Sequence, residues 1–344
     1  MRIGISIGPY GSQVKTPVAL SQIAQTADRI GLDSLWVAEA YGTDAPTVLA
    51  FVAARTTQIK LGSGIMQIPG RTPANAAMTA MGLDALSGGR FLLGLGMSGP
   101  QVVEGWHGVP FGYQLARTRE YVEIIRAIVA RRDDVEFQGR HYQIPYRGKD
   151  STGLGRPLKT MFHPVRDQIP IYLGALGPKN VELTAELADG WLAFLYAPEH
   201  ERLVQEPLMA GTRKRSRSLA DLDIVATVYV AEGNDLERCR DRLRPIFALY
   251  IGGMGAPARN FYFNLVCRYG FAAEAERIQD LYASGRKHEA EAAVPVELID
   301  QLGLVGPADR IARRLREWES SAVDSVLLGI ADPGAVERIV SALD

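Results

Sequence analysis

Two glycine-rich turns are the places in this chain best suited to hold a ligand. Residues 94–99 read GLGMSG after an apolar run, and residues 174–180 read GALGPKN after another. Glycine lacks a Cβ atom, so the backbone there can come close to a flat or phosphorylated ligand. The second turn also precedes a predicted helix, whose free N–H groups and dipole favour a phosphate together with the ammonium of Lys179. A plain turn without a ligand is the alternative at both places.

The first turn has the spacing of a dinucleotide-binding loop without the expected continuation. That loop needs a helix that begins at the third glycine, where free N–H groups meet a pyrophosphate. Pro100 follows Gly99, and the pattern predicts no helix before about Ala116. The sequence therefore favours a wall that a cofactor approaches closely over a dinucleotide site, with a tight turn without ligand as the second interpretation.

Two side chains are candidates for acid–base chemistry. Glu39 follows the second predicted strand, where apolar residues would otherwise continue, and a carboxylate buried there needs a hydrogen-bond donor. A ligand could supply that donor, or a structural arginine could pair with the carboxylate. His107 is a candidate proton donor in the loop after the fourth strand. Its aromatic neighbours Trp106 and Tyr113 either cover an apolar pocket or pack against the rim of the fold.

Composition narrows the class of protein. The 344 residues are 47% hydrophobic and 22% charged, with a net charge of −1, which is typical of a globular protein and gives no basic surface for nucleic acid or an anionic membrane. No run approaches the ~20 apolar residues of a membrane helix, and the N-terminal run is too short for a signal peptide, so we expect a cytoplasmic protein. Neither the two distant cysteines nor the segment at His288 has metal-ligand spacing, so no metal site is predicted.

Eight strand-and-helix units are predicted to position these residues. Apolar runs alternate with amphipathic segments, as in parallel strands joined by helices, at residues 3–7, 34–38, 59–66, 91–95, 169–174, 190–195, 223–231 and 324–330. This inventory predicts an α/β protein in which residues 1–344 form a single (β/α)8 barrel, with an open doubly wound sheet as the alternative. Residues 133–167 are predicted to be an insertion between the fourth helix and the fifth strand. A helical region of about 236–300 extends the connection between the seventh and eighth strands.

Three groups of short motifs stand out along the chain: IKLGSGI at 59–65 with RTP at 71–73, LSGGR at 86–90 with GLG at 94–96, and IPIYLGALGP at 169–178 with ADG at 188–190. With these motifs the chain resembles the luciferase-like superfamily of (β/α)8 barrels and, within it, the oxidoreductases that use the deazaflavin coenzyme F420, such as methylenetetrahydromethanopterin reductase. The likeness spans nearly the whole chain. The resemblance implies a cis peptide bond between Gly64 and Ile65 that backs the deazaflavin ring.

The ligand site of such a barrel lies at the carboxyl ends of its strands. This placement and the resemblance together give the predicted cofactor contacts: Glu39, Tyr41, Ser63, Gly64, Ile65, Met66, Gly96, Met97, Ser98, Gly99, Gln101, Gly174, Ala175, Leu176, Gly177, Pro178 and Lys179. Two positions depart from the family. Glu39 and Ala40 stand where relatives commonly have Asp-His, and Ser6 stands where the pterin reductase has an acid. The resemblance therefore implies the type of reaction and leaves the substrate open.

Three functions remain open at this stage. The leading hypothesis is hydride transfer between F420 and a small organic substrate, with the ring chemistry supplied by the coenzyme. An FMN-dependent monooxygenase on the same barrel is the alternative, and a flavin-binding protein without turnover is the third. Deazaflavin carries carbon at position five and reacts poorly with oxygen, so the first two predict different chemistry. Relatives often pair through helices near strands two and three, which implies a homodimer.

Overall fold

The computed structural model describes residues 1–12, 14–255 and 259–343. Its strands are β1 (Arg2–Ile7), β2 (Ser34–Val37), β3 (Lys60–Ser63), β4 (Met66–Gln67), β5 (Phe91–Gly96), β6 (Phe137–Gln138), β7 (Gln143–Ile144), β8 (Ile171–Gly174), β9 (Gly190–Phe194), β10 (Asp223–Glu232), β11 (Gly303–Gly306) and β12 (Ser325–Gly329).

Eight strand positions close into a ring of parallel strands. The order is β1, β2, β3 with its continuation β4, β5, β8, β9, β10 and β12, and β12 pairs with β1 again. The register of the closing pair runs from Arg2 opposite Ser325 to Ile5 opposite Leu328. The predicted (β/α)8 barrel is thereby confirmed, and the open sheet is excluded.

The helices are α1 (Pro17–Arg29), α2 (Ala45–Ala53), α3 (Pro73–Leu86), α4 (Pro100–Gly105), α5 (Gln114–Ala130), α6 (Pro178–Leu187), α7 (Arg202–Lys214), α8 (Leu236–Ala248), α9 (Phe261–Arg268), α10 (Ala272–Ala283), α11 (Lys287–Ala292), α12 (Val296–Leu302), α13 (Ala308–Trp318) and α14 (Pro333–Ser341). Local sequence explains several starts. Thr16, Asp44 and Thr72 each accept a hydrogen bond from the backbone three residues on, with a proline in the first turn. Within the described ranges no helix is both long and apolar enough to cross a bilayer.

Two apolar layers surround the ring of strands. Outward-facing residues such as Ile5, Leu35 and Leu93 pack with the helices in the main core. Inward-facing residues form a smaller cluster inside the barrel: Trp36, Leu92, Tyr172, Leu192, Val225 and Leu327. The alternation of side chains along a strand produces this division. The interior cluster fills the middle of the barrel, so the ends of the strands are where a site can form.

A helical excursion, residues 236–302, separates β10 from β12. It contains α8 to α12 and a π-helical turn at Leu249–Gly253, and it has a hydrophobic cluster of its own around Phe247, Ile251 and Ile278. The excursion returns through β11, which pairs with the carboxyl end of β10 from Tyr229 to Glu232. The excursion is therefore attached to the strand from which it departs.

Several elements differ from the sequence prediction. Helix α4 begins at Pro100, directly after Gly99, although no helix was predicted before about Ala116, and α5 begins at Gln114. Helix α7 and strand β11 were not predicted. Proline fits the first turn of a helix, which explains the start of α4, and the four-residue β11 is too short to give a clear alternation pattern.

Candidate functional site

Ile65 forms an apolar platform in the barrel mouth, at the carboxyl ends of the strands. The peptide bond between Gly64 and Ile65 is cis, as predicted, and it separates β3 from β4. A Cβ atom at Gly96 would lie 2.9 Å from Ile65 Cδ1, and one at Gly174 would lie 3.2 Å from Ile65 Cγ2. The absence of side chains at these two glycines lets Ile65 lie across the ends of β5 and β8. Gly64 and Ile65 are both half-buried and open to the mouth.

Ser63 and Met66, which flank this platform, have structural roles. The Ser63 hydroxyl donates to the Gly94 carbonyl at 2.8 Å and accepts from the Gly94 N–H at 2.9 Å, joining β3 to β5 where the ladder is interrupted. Both side chains have 0% exposure. Protein atoms surround both side chains, and contact of Ser63 and Met66 with a cofactor stays a prediction.

Glu39 pairs with Arg71, the structural alternative considered from the sequence. The guanidinium donates to both carboxylate oxygens at 2.7 and 2.8 Å, and the backbone N–H groups of Ala45 and Gln67 donate at 3.0 and 3.1 Å. Burial disfavours the charge on Arg71, but the hydrogen bonds and the charge of Glu39 outweigh it and raise the pKa of Arg71. Each oxygen accepts two hydrogen bonds, so the carboxylate is fully engaged by the protein.

Gln67 connects this pair to His107. Its amide nitrogen donates to the Glu39 carbonyl at 3.3 Å, and its amide oxygen contacts Nε2 of His107. An amide oxygen only accepts, so His107 donates to it from Nε2, and its Nδ1 atom is not engaged by this contact. The ring lies beside Gly70, where a Cβ atom would be 3.0 Å from Cε1 of His107. The proton-donor role of His107 stays a prediction.

The turn after β5 lines one side of the mouth. Ser98 adopts a left-handed φ of 62°, and Met97, Ser98 and Gly99 are half-buried. The side chain of Gln101 folds back over Gly99, where a Cβ atom would lie 3.3 Å from its amide oxygen. Tyr41 lies at the rim with 57% exposure, and its ring centroid is 6.4 Å from that of Trp106. Contact of these residues with a cofactor stays a prediction.

The second glycine-rich turn leads into α6, as predicted. Gly177 is the N-cap, and no side chain in the described chain caps this helix. Gly174, Pro178 and Lys179 are exposed, and Leu176 and Gly177 are half-buried, whereas Ala175 is buried. An exposed helix start with an adjacent ammonium retains the geometry that suits a phosphate.

Arg268 is a second cation beside this turn. Its guanidinium donates to the carbonyl of Leu176 at 3.2 Å, and the residue is exposed at the end of α9. No local pattern predicts this contact, because Arg268 is separated from Leu176 by 92 residues. The excursion therefore brings positive charge to the turn.

Four aromatic residues that are not among the predicted cofactor contacts form a wall of the mouth. The centroid of Phe194 lies 5.9 Å from Tyr229, 4.8 Å from Tyr250 and 5.8 Å from Tyr262. All four are half-buried. Phe194 lies near the carboxyl end of the predicted sixth strand, and Tyr229 lies near the carboxyl end of the predicted seventh strand, so the rule that the site lies at the strand ends could have found both. Tyr250 and Tyr262 belong to the excursion, so their position depends on the tertiary fold.

The hydroxyl groups of two of these residues are paired. Tyr229 Oη and Tyr250 Oη lie 3.3 Å apart. Burial raises the pKa of Tyr250 well above its usual range, with additions from Tyr229 and from Tyr41 on the opposite rim. Burial also raises the pKa of Tyr229, partly offset by the hydrogen bond with Tyr250. Both phenols are therefore neutral hydrogen-bonding groups at physiological pH.

A cavity of about 390 Å³ lies at the opposite, amino end of the barrel. Four of its polar side chains are paired: Lys60 contacts Asp33 at 2.8 Å, and the Tyr172 hydroxyl donates to Asp223 at 2.7 Å. These pairs hold the starts of the strands together, whereas the buried hydroxyl of Ser325 in the same lining has no hydrogen-bond partner among the described residues. In the described ranges no three His, Cys, Asp or Glu side chains gather in a way that could hold a metal ion.

Together these features define a (β/α)8 protein with a candidate site, floored by the apolar side chain of Ile65, at the carboxyl ends of its strands. The family model described as luciferase-like monooxygenase matches residues 2–325, and the chain belongs to this family.

Individual relatives extend the comparison. The chain is 41% identical, over 98% of its length and 97% of the relative's, to a Mycobacterium tuberculosis protein whose name proposes a coenzyme F420-dependent oxidoreductase. It is 28% identical to the 5,10-methylenetetrahydromethanopterin reductase of Archaeoglobus fulgidus, over 90% of this chain and 89% of that one. The structure of the F420-dependent tetrahydromethanopterin reductase of Methanopyrus kandleri superposes with a TM-score of 0.78 at 22% identity, covering 98% and 97% of the two chains. This last similarity supports the fold.

Proposed function

We propose that this protein is a coenzyme F420-dependent oxidoreductase that transfers a hydride between the deazaflavin and a small organic substrate. The observation that carries the proposal is the 41% identity, across 98% of the chain, to the mycobacterial protein named for this activity. The FMN-dependent monooxygenase is the second candidate, because the matching family model is described by that activity.

The residues of the mouth fit such a coenzyme. Ile65 offers an apolar support for a ring, and the missing side chains at Gly96 and Gly174 let it lie across the ends of β5 and β8. The turn from Gly174 to Lys179 places helix N–H groups and an ammonium where a phosphate would lie. The coenzyme, when bound, supplies the hydride chemistry, while the protein orients the ring and excludes water.

The two acid–base candidates have different roles in this proposal. Glu39 is a positioning residue, since Arg71 and two backbone N–H groups occupy its carboxylate. It fixes Gln67, which in turn orients the ring of His107. His107 is the proposed acid–base group of the rim, because its Nδ1 atom is free of the contact with Gln67.

Titration of the purified protein with oxidised F420 and, separately, with FMN tests the proposal. We expect saturable binding of F420 with a change in its absorbance and fluorescence. Lys179→Ala should raise the dissociation constant for F420, because the phosphate loses an ammonium partner, whereas Lys149→Ala on the exposed segment between α5 and β8 should not. Micromolar binding of FMN without binding of F420 would select the monooxygenase, and binding of neither would overturn both candidates.

The proposal extends to a homodimer. Helix α3 exposes Met78 and Leu86, with 63% and 67% of their surfaces open, on the side away from the barrel. Large exposed apolar side chains on one helix are typical of an interface.

Both cysteines, Cys239 and Cys267, are free thiols, which supports a reducing compartment and hence the cytoplasm.

A further inference from the structure

Strand β10, which carries Tyr229 of the aromatic wall, lies opposite β3, the strand that leads into the Ile65 platform. In the ring of eight strand positions, β3 is third and β10 is seventh, so the two strands are diametrically opposed. Val225 of β10 belongs to the cluster inside the barrel, and alternation puts Tyr229 on the same inward face. A Cβ atom at Gly329 would lie 3.2 Å from Tyr229 Cδ1, so this glycine provides the space that the tyrosine ring occupies.

The wall is held from behind by a buried asparagine. Asn260 has 0% exposure, and its amide nitrogen donates to the carbonyls of Tyr250 and Ile251 at 2.9 and 2.8 Å. Its side-chain oxygen accepts from the N–H groups of Tyr262 and Phe263 at 2.9 and 3.1 Å. One side chain therefore fixes the two segments that carry Tyr250 and Tyr262. The rings are pre-organised, which lowers the entropic cost of binding a ligand.

The paired hydroxyl groups leave one proton unused. When one phenol of Tyr229 and Tyr250 donates to the other, the accepting phenol still has its own O–H to donate. Within the described residues neither hydroxyl has another hydrogen-bond partner. A half-buried donor of this kind gains most from a ligand oxygen, since an unmet donor is costly.

We propose that the aromatic wall, formed by Phe194, Tyr229, Tyr250 and Tyr262, binds the organic substrate and selects planar, unsaturated carbonyl compounds. The plane of the substrate packs against the rings of Phe194 and Tyr262, and its carbonyl oxygen accepts the free phenolic proton of the tyrosine pair. Aromatic faces favour such planar partners over saturated rings. This inference rests on the proposed function, because a coenzyme on Ile65 would face the wall across the space that the substrate occupies.

Calorimetric binding of acetophenone to the protein saturated with oxidised F420 tests the inference. Ethylbenzene, which lacks the oxygen, and cyclohexyl methyl ketone, which lacks the planar ring, are the matched probes. We expect acetophenone to bind more tightly than either. The variant of the pair, Tyr229→Phe or Tyr250→Phe, that removes the free phenolic proton should weaken acetophenone binding about tenfold, the effect of one hydrogen bond, and leave ethylbenzene binding unchanged. Tyr146→Phe, whose hydroxyl contacts Asp150 on an exposed segment, is the control and should bind like the parent.

The outcomes separate the two proposals. F420 affinity and the melting temperature are measured first for each protein, and Tyr250→Phe serves if Tyr229→Phe does not fold. Failure of the parent to bind F420 overturns the proposed function. If F420 binds normally, three results overturn the inference alone: acetophenone fails to bind, it binds no more tightly than ethylbenzene, or its affinity is unchanged in both tyrosine variants.

Discussion

Glu39 and Arg71 form an ion pair that is largely withdrawn from water, with side-chain exposures of 7% and 15%. Removing one partner from such a pair leaves a buried charge without compensation. Arg71→Gln should lower the free energy of unfolding by about 3 kcal/mol, measured by urea denaturation. The double variant with Glu39→Gln should recover part of this loss, because no uncompensated charge remains.

The matched control is Arg213→Gln, which breaks the pair with Glu206 at exposures of 59% and 75%. Exposed pairs contribute little, so a loss below about 1 kcal/mol is expected. Equal losses for the two arginines would contradict a structural role for Glu39.

Asp28 makes stability depend on pH. Its carboxylate accepts hydrogen bonds from the N–H groups of Ile59, Thr57 and Gln58 at 2.7, 2.8 and 2.9 Å. Burial alone would raise its pKa, but these bonds outweigh burial and hold the pKa below the usual 3.8. A lowered pKa gives stability that is present above about pH 4 and lost as pH falls through the folded-state pKa.

Asp28→Asn should therefore flatten the fall in unfolding free energy between pH 5 and 3, relative to the parent protein, in urea titrations at several pH values. Asp309→Asn, at an exposed position on α13, should leave the slope unchanged. A parent-like slope in Asp28→Asn would remove this explanation.

Residue roles were predictable where they depend on nearby sequence. The cap at Thr16 and the helix start at Gly177 follow from local spacing. The hydrogen-bond donor to Glu39 could not be identified from the sequence, because an acid at a strand end can pair with either a ligand or an arginine. The distance between Arg71 and Glu39 is set by the fold. The roles of Arg268 and Tyr250 could not be predicted for the same reason, since their contacts join segments that are distant in the sequence.

At the level of elements, the junction of β3 and β5 requires a glycine. A Cβ atom at Gly94 would lie 1.8 Å from the Ser63 carbonyl oxygen and 2.9 Å from Leu192 Cδ1. Gly94→Ala should lower the free energy of unfolding by about 3 kcal/mol or more, because backbone must move to admit the methyl group.

Gly82→Ala in the interior of α3 is the comparison, since its added Cβ would meet nothing within 4 Å. Alanine is favoured over glycine in a helix, so a gain of up to about 1 kcal/mol is expected. Thermal and urea unfolding of both variants measure the contrast. A tolerated alanine at position 94 would refute the close approach of the two strands.

The alternation of strands and helices was readable because parallel strands give continuous apolar runs and helices give capped, amphipathic ones. Seven of the eight predicted strands overlap one barrel strand each, and the third overlaps both β3 and β4. Short elements without a clear pattern, such as α4 and β11, could not be found in this way.

For the whole molecule, the proposed homodimer predicts a measurable mass. Light scattering after size-exclusion chromatography should give twice the chain mass for the parent protein. Met78→Glu combined with Leu86→Glu should give the monomer, since burying two carboxylates without partners is costly. Val18→Glu, at an apolar position of α1 with 66% exposure, should remain dimeric. A monomeric parent protein would refute the proposal.

The attachment of the helical excursion to β10 at both ends has an evolutionary consequence. Its departure at Leu236 and its return through Gly303–Gly306 lie beside the same strand end, so the interval behaves as a cassette. Insertions, deletions or replacement within this interval can alter the part of the aromatic wall that carries Tyr250 and Tyr262, while the eight-strand ring keeps its register. Proteins that descend from this barrel can therefore change the substrate they accept while they keep the Ile65 platform on which the coenzyme is proposed to lie.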